Sequence, residues 1–197
     1  DLTIINSTFM GNTGLHGGAI YNNGSMDIIN SSFKNNRGQY TGGAIYNSGV
    51  LNIENTKFSD NNAYLAACVY NDGILNMDEC LIFSNNALYA PSSNLRDYSG
   101  IPSSGGGVIY NKNNATINNS KILNNIAFIG GVVLNDGGNL VIENSDLSKN
   151  KVDMDHWTNA GGVIEGNGNI TLIKSNFTSN YGKTRGGVIS TVWNYNN

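Results

Sequence analysis

Apolar and polar residues alternate through most of this chain, and glycine and asparagine interrupt the alternation at regular intervals. Leu51 and Ile53 alternate with Asn52 and Glu54, for example. A period of two is the signature of a half-buried strand. No stretch of helical length carries 3.6-residue spacing. Val and Ile dominate the positions assigned to the interior, as pleated packing favours.

The pattern repeats. One phrase, Gly-Gly-(Ala/Val)-(Ile/Val)-Tyr-Asn, stands at residues 17–22, 42–47 and 106–111, and as Ala66-Ala67-Cys68-Val69-Tyr70-Asn71. It decays at residues 130–135, 161–164 and 186–189. A second phrase ends in an apolar anchor with Asn three residues later. The anchors Phe9, Phe33, Phe58, Ile82, Ile122, Leu147 and Phe177 stand 24, 25, 24, 40, 25 and 30 residues apart. The Asn that follows is present in every unit, from Asn12 to Asn180.

A fixed period means one unit stacked on copies of itself. Three short strands between Gly/Asn corners, in about 24 residues, describe one coil of a parallel β-helix. The Leu-x-x-Leu-x-Leu pattern of leucine-rich repeats is absent, as is the Trp-Asp of a WD40 blade. Stacking at about 4.8 Å per coil gives a solenoid roughly 34 Å long. Ile20, Ile45, Val69, Ile109, Val133, Ile164 and Ile189 are predicted to form an inner column. Ser7, Ser31, Thr56, Cys80, Ser120, Ser145 and Ser175 form a small-residue column beside the anchors. The Asn after each anchor is predicted at a corner, in left-handed backbone, bonded amide to amide.

Composition narrows the function. Charged residues make up 13% of the chain and the net charge is −3. This is not the clustered basic surface that nucleic acid needs. No apolar run approaches the roughly 20 residues of a membrane span. The chain opens at Asp1, without a leader-like stretch, and reads as a single β-helix domain over residues 1–197, cut from a longer surface protein. Neither end reads as a polar cap, which implies flanking coils or end-to-end self-association.

The paired Gly-Gly-Ala-(Ile/Leu/Val) and Phe-x-x-Asn motifs resemble those of the chlamydial-type polymorphic outer-membrane proteins. The longer Gly-Gly-Ala-Ile-Tyr-Asn phrase, followed by an Asn-Ser-x-Phe segment, is similar to the adhesin-like surface proteins of methanogenic archaea. The resemblance spans all seven units. It implies a right-handed parallel β-helix, an extracellular location at the cell surface, and adhesion to glycans or proteins of a host or neighbouring cell. Ala66-Ala67-Cys68 departs from the glycine pair, and Tyr is lost after the fourth unit.

The period breaks twice. The distance from anchor to glycine pair, normally 8–9 residues, is 24 in unit four and 14 in unit six. Insertions at about residues 87–104 and 151–160 therefore leave one shared corner, two coils apart. Insertions on one face of a repeat array often form its binding face. The candidate ligand-binding residues are Tyr89, Arg96, Asp97 and Tyr98 in the first insertion, and Asp153, Asp155, His156 and Trp157 in the second. Aromatics beside carboxylates suit sugar stacking and protein hot spots alike.

Other candidates weigh less. Tyr21, Tyr46, Tyr70 and Tyr110 form an outward ladder, read as cross-coil stacking before glycan binding. Glu165 and Ser190, later in that column, are taken as signs of its exposure. Glu54 and Asp78 share an outward column, as a glycosidase pair would. They stand without a basic partner column and read as solvated charge. No catalytic residue, metal site or cofactor is expected. A polysaccharide-degrading enzyme and a structural stalk or filament subunit stay open as alternatives. Cys68 and Cys80 read as buried small-residue fillers.

Overall fold

The structure, a computed structural model, describes residues 1–87, 107–127, 132–152, 163–183 and 186–191. All strands are parallel, and they form four sheets of seven strands each, one strand per sheet per coil. The first sheet runs Leu2–Ile5, Ser25–Ile29, Val50–Glu54, Ile74–Asp78, Asn114–Asn118, Asn139–Glu143 and Asn169–Ile173. The second runs from Thr8–Met10 to Asn176–Thr178 and carries the anchors. The third runs from Thr13–His16 to Tyr181–Gly182, and the fourth from Ile20–Asn22 to Ile189–Thr191. The molecule is a parallel β-helix of seven coils.

Four strands per coil correct the expected three. The missed strand is the third-sheet one, which shortens to two residues in four coils (Asn86–Ala87, Ile126–Ala127, Lys151–Val152 and Tyr181–Gly182). Its inner column holds Gly38, Ala63, Ala87, Ala127 and Val152, all buried. Small residues over so short a span show no period-two contrast, so the strand leaves no pattern to read. Ala87, Lys151 and Val152, which the period assigns to the insertions, are strand residues.

The inner columns stack in register. Phe9, Phe33 and Phe58 pair strand to strand, with ring centroids 4.7 and 5.0 Å apart and nearly parallel planes. The Ile/Val column from Ile45 to Ile164 is fully buried. Asparagines run through the core as two amide ladders. In the first, the backbone N–H and the Nδ2 of each Asn donate to the Oδ1 of the next, from Asn12 through Asn36, Asn61, Asn85, Asn125 and Asn150 to Asn180, at 2.9–3.2 Å. From Asn36 onward each Nδ2 also reaches back to an anchor carbonyl, as Asn61 does to Phe33 at 3.0 Å. The second ladder, Asn22–Asn47–Asn71–Asn111–Asn135, links the ends of the fourth-sheet strands at 2.7–2.8 Å. A buried amide is tolerated only when its donors and acceptors are met, and here the repeat supplies the partner.

The left-handed residues are not the ladder asparagines. They lie one position earlier, at Gly11, Asn35, Asp60, Ser84, Asn124, Lys149 and Ser179, with φ near +55° at the six non-glycines. The left-handed residue turns the corner, and the Asn after it points inward to tie that corner to the next coil. A second left-handed column, from Asn6 to Lys174, turns from the first sheet to the second.

The alternation of 24 and 25 residues has a local cause. Between Gly38 and Thr41 the third-sheet strand holds one more residue than its neighbours, an irregularity of β-bulge type. In the fifth coil the extra residue sits in the turn at Gly137, at φ +79°. There Asn135 reaches the carbonyl of Gly138, three residues on, where Asn71 reaches Gly73, two on.

Candidate functional site

The first sheet turns alternate residues outward, most of them polar, with Ile29, Val50 and Ile74 among them. Its middle column runs Asp27, Asn52, Asn76 and Thr116 in register. Asn52 Nδ2 donates to Asp27 Oδ1 at 2.8 Å, and Asn76 Nδ2 to Asn52 Oδ1 at 2.9 Å. The neighbouring column brings Glu54 beside Asp78 and Asp78 beside Asn118. Asp78 Oδ1 accepts from Asn118 at 3.1 Å and from Asn119 at 2.9 Å. These side chains line a shallow groove of about 500 Å³ that crosses four coils. A second depression of about 560 Å³ adjoins it over the corner, between Asn6, Asn30, Asn55, Thr8 and Lys57.

Amides and carboxylates recur at the strand spacing of about 4.8 Å, a regular row of donors and acceptors along the helix axis. Glu54 and Asp78 do sit on adjacent strands, but Asp78 is already held by two amides. Among the described residues no group of three His, Cys, Asp or Glu could hold a metal ion.

The fourth sheet turns its tyrosines outward, as alternation predicts, yet most of them are not exposed. Tyr21 is 57% exposed and Tyr46 is half-buried, while Tyr70 and Tyr110 keep only 8% and 1% of their surface. The rings stack at 4.7–5.0 Å with interplanar angles of 6–8°. Their faces are spent on one another, so they offer no row of open faces to a sugar. Leu65 and Ala66 complete a second apolar cluster with Tyr70 and Tyr110, and Tyr46, Tyr64 and Leu134 pack against it. Beside the stack, His16 bonds to Thr41 Oγ1 at 2.8 Å and lies 5.8 Å from the rings of Tyr40 and Tyr46. Glu165 and Ser190 are buried too, at 0% and 6%, which overturns the reading of that column as exposed.

Burial sets the chemistry of this cluster. Tyr110 Oη donates to Asp136 Oδ2 at 2.6 Å. Burial first, then the bond to Asp136, pushes the Tyr110 phenol far above its usual range. Burial also raises Tyr70, helped by Tyr46, Asp72 and Asp136. Ala66 stands at φ +59°, where coils one and two have glycine. Left-handed backbone costs a non-glycine residue about 1–2 kcal/mol. Its buried methyl packs in the tyrosine cluster and offsets part of that cost.

Cys68 and Cys80 are unbonded and buried, as fillers would be. Cys80 takes a place in the hydroxyl ladder, where the backbone N–H of Ser7 donates to Ser31 Oγ and that of Ser120 to Ser145 Oγ. Burial pushes the Cys80 thiol up to about 12, partly opposed by hydrogen bonds with the backbone of Thr56 and Asp78.

The sequence-derived ligand residues Tyr89, Arg96, Asp97, Tyr98, Asp153, Asp155, His156 and Trp157 lie outside the described residues. The strands that flank their segments do fall in register: Ala87 pairs with Ala127, and Ala127 with Val152. Sequence reasoning saw the Glu54–Asp78 column but missed the Asp27–Asn52–Asn76–Thr116 column beside it. The signal was there, as polar residues at equivalent outward positions of four successive units.

The model of the right-handed β-helix region family matches residues 1–197, the whole chain. The chain belongs to this family. Its seven parallel coils are thereby right-handed, in agreement with the fold expected from the repeat. The right-handed β-helix is a scaffold, and function on it is set by surface residues. No curated protein and no solved structure gives a significant match.

Proposed function

We propose that this right-handed β-helix is a non-catalytic binding segment of an extracellular, cell-surface adhesin, and that it holds glycans or proteins of a host or neighbouring cell. The observation that carries the reading is the open groove on the first sheet, where the polar column Asp27, Asn52, Asn76 and Thr116 repeats in register over four coils. Repeat arrays use such extended faces to bind extended partners. The same reading takes Tyr89, Arg96, Asp97, Tyr98, Asp153, Asp155, His156 and Trp157, in the insertions at about residues 87–104 and 151–160, as further ligand-binding residues.

The test is adhesion to glycan arrays and to intact cells. The triple substitution Asn52→Ala, Asn76→Ala, Thr116→Ala is compared with deletion of the two corner segments. Binding should fall at least tenfold in one set or the other, with the β-type circular dichroism spectrum kept. Unchanged binding in both sets would sink the reading. The register pairing of Glu54 with Asp78 favours one rival, a polysaccharide-degrading enzyme. Shortened glycan chains after incubation, abolished by Glu54→Gln, would establish that rival instead.

A further inference from the structure

The groove on the first sheet is also acidic. Asp27 on the second coil, Glu54 on the third and Asp78 on the fourth all line it, so three successive coils each contribute a carboxylate. No Lys, Arg or His stands among the described residues that line it. The whole chain is nearly balanced, with 11 basic and 14 acidic residues, so this imbalance is local and not a reflection of composition. The side-chain partners of Asp27 and Asp78 are the neutral amides of Asn52, Asn118 and Asn119. An amide satisfies a carboxylate oxygen without neutralising its charge.

Spacing selects the kind of occupant. The coils advance by about 4.8 Å along the groove. An extended peptide presents side chains to one face at every second residue, about 6.8 Å apart, and falls out of step with the coils. An extended hexose chain advances by close to one coil per sugar. From Asp27 to Thr116 the row spans about 14 Å, room for about four sugars.

Charge then selects among sugars. A polyuronate or sulfated chain would lay like charge on the three carboxylates, well inside the screening length of about 8 Å at physiological salt. An amino sugar brings an ammonium that these carboxylates attract. Its hydroxyls meet the amide row of Asn52 and Asn76, and its C–H face meets Ile29, which is half-buried in the lining.

We propose that the first-sheet groove binds a linear chain of amino sugars with free amino groups, laid along the helix axis at about one sugar per coil. The inference rests on the reading of this groove as the binding face, and it names the ligand class.

The experiment titrates the full chain by calorimetry with four probes: a tetramer of β-1,4-linked glucosamine, its fully N-acetylated counterpart, a galacturonate tetramer and oligolysine. The glucosamine tetramer should bind at least tenfold more tightly than the other three, and its affinity should fall as salt is added. The double substitution Glu54→Gln, Asp78→Asn should weaken it at least tenfold, with the circular dichroism spectrum kept. Asp60→Asn removes a charge from an exposed corner between the second and third sheets and should leave binding unchanged. Equal or tighter binding of the acetylated or galacturonate tetramer overturns the inference, while the groove stays a glycan site. Tighter binding of oligolysine overturns it in favour of a peptide. Equal losses from Asp60→Asn and the double substitution also overturn it, since net charge alone would then explain the binding. If no probe binds while the chain still adheres to cells, the ligand class is wrong and the adhesin reading stands.

Discussion

The first and fourth sheets are cut from the same coils, hold the same number of strands and share one stacking direction, yet their outer faces have opposite fates. On the first, Asp27, Asn52 and Asn76 form an open hydrogen-bonded row along a groove. On the fourth, Tyr70 and Tyr110 are buried in an apolar cluster with Leu65 and Ala66. In both, cross-strand neighbours bond to each other. The difference is the packing, for Leu65 and Ala66, at and just after the end of a third-sheet strand, cluster with the tyrosines, whereas the amides border an open groove. An outward position on a β-helix is thus a candidate binding position only where its packing neighbours leave it open.

The contrast can be broken first at Tyr110. Tyr110→Ala should cost about 3–5 kcal/mol, the range for deleting a large buried aromatic, read as a lower midpoint in urea. A loss below about 1 kcal/mol would mean that the cluster is not a true second core. The next effect is alkaline. The folded phenols of Tyr70 and Tyr110 are raised above their unfolded values, so the folded state holds their protons longer. Their contribution to stability is complete below the unfolded value near pH 10 and is lost as pH rises beyond it. Urea midpoints at pH 8 and pH 11 should differ, and the double substitution to Phe should shrink the difference.

A smaller effect isolates one bond. Tyr110→Phe should cost about 1–3 kcal/mol, because it removes a hydrogen bond to a carboxylate. Tyr21→Phe, at the exposed end of the stack, should be neutral within about 0.5 kcal/mol. The smallest effect is expected on the open face. Asn76→Ala should move stability by no more than about 0.5 kcal/mol, since both its state and its replacement are solvated. A large loss there would show the amide row to be structural, and would weaken its reading as a binding face.

Much of the interior was legible before any coordinates. A solenoid repeats its contacts, so a residue type that returns every 24 or 25 positions must meet itself in the next coil. That logic led to the phenylalanine stack, the Ile/Val column and the bonded asparagines. It failed where a position has no repeating contrast. The third-sheet strand is too short and too small in its side chains to show alternation. The left-handed corner residue varies among Gly, Asn, Asp, Ser and Lys, so the invariant Asn beside it drew the assignment.

What the sequence determined by itself was the stacking, because contacts between coils follow from the period alone. What only the tertiary structure decided was exposure, because it depends on how corners of different sheets lie against each other. Tyr110 and Asn76 are both outward by alternation. One is buried because it packs with Leu65, Ala66 and Tyr70, and the other borders an open groove.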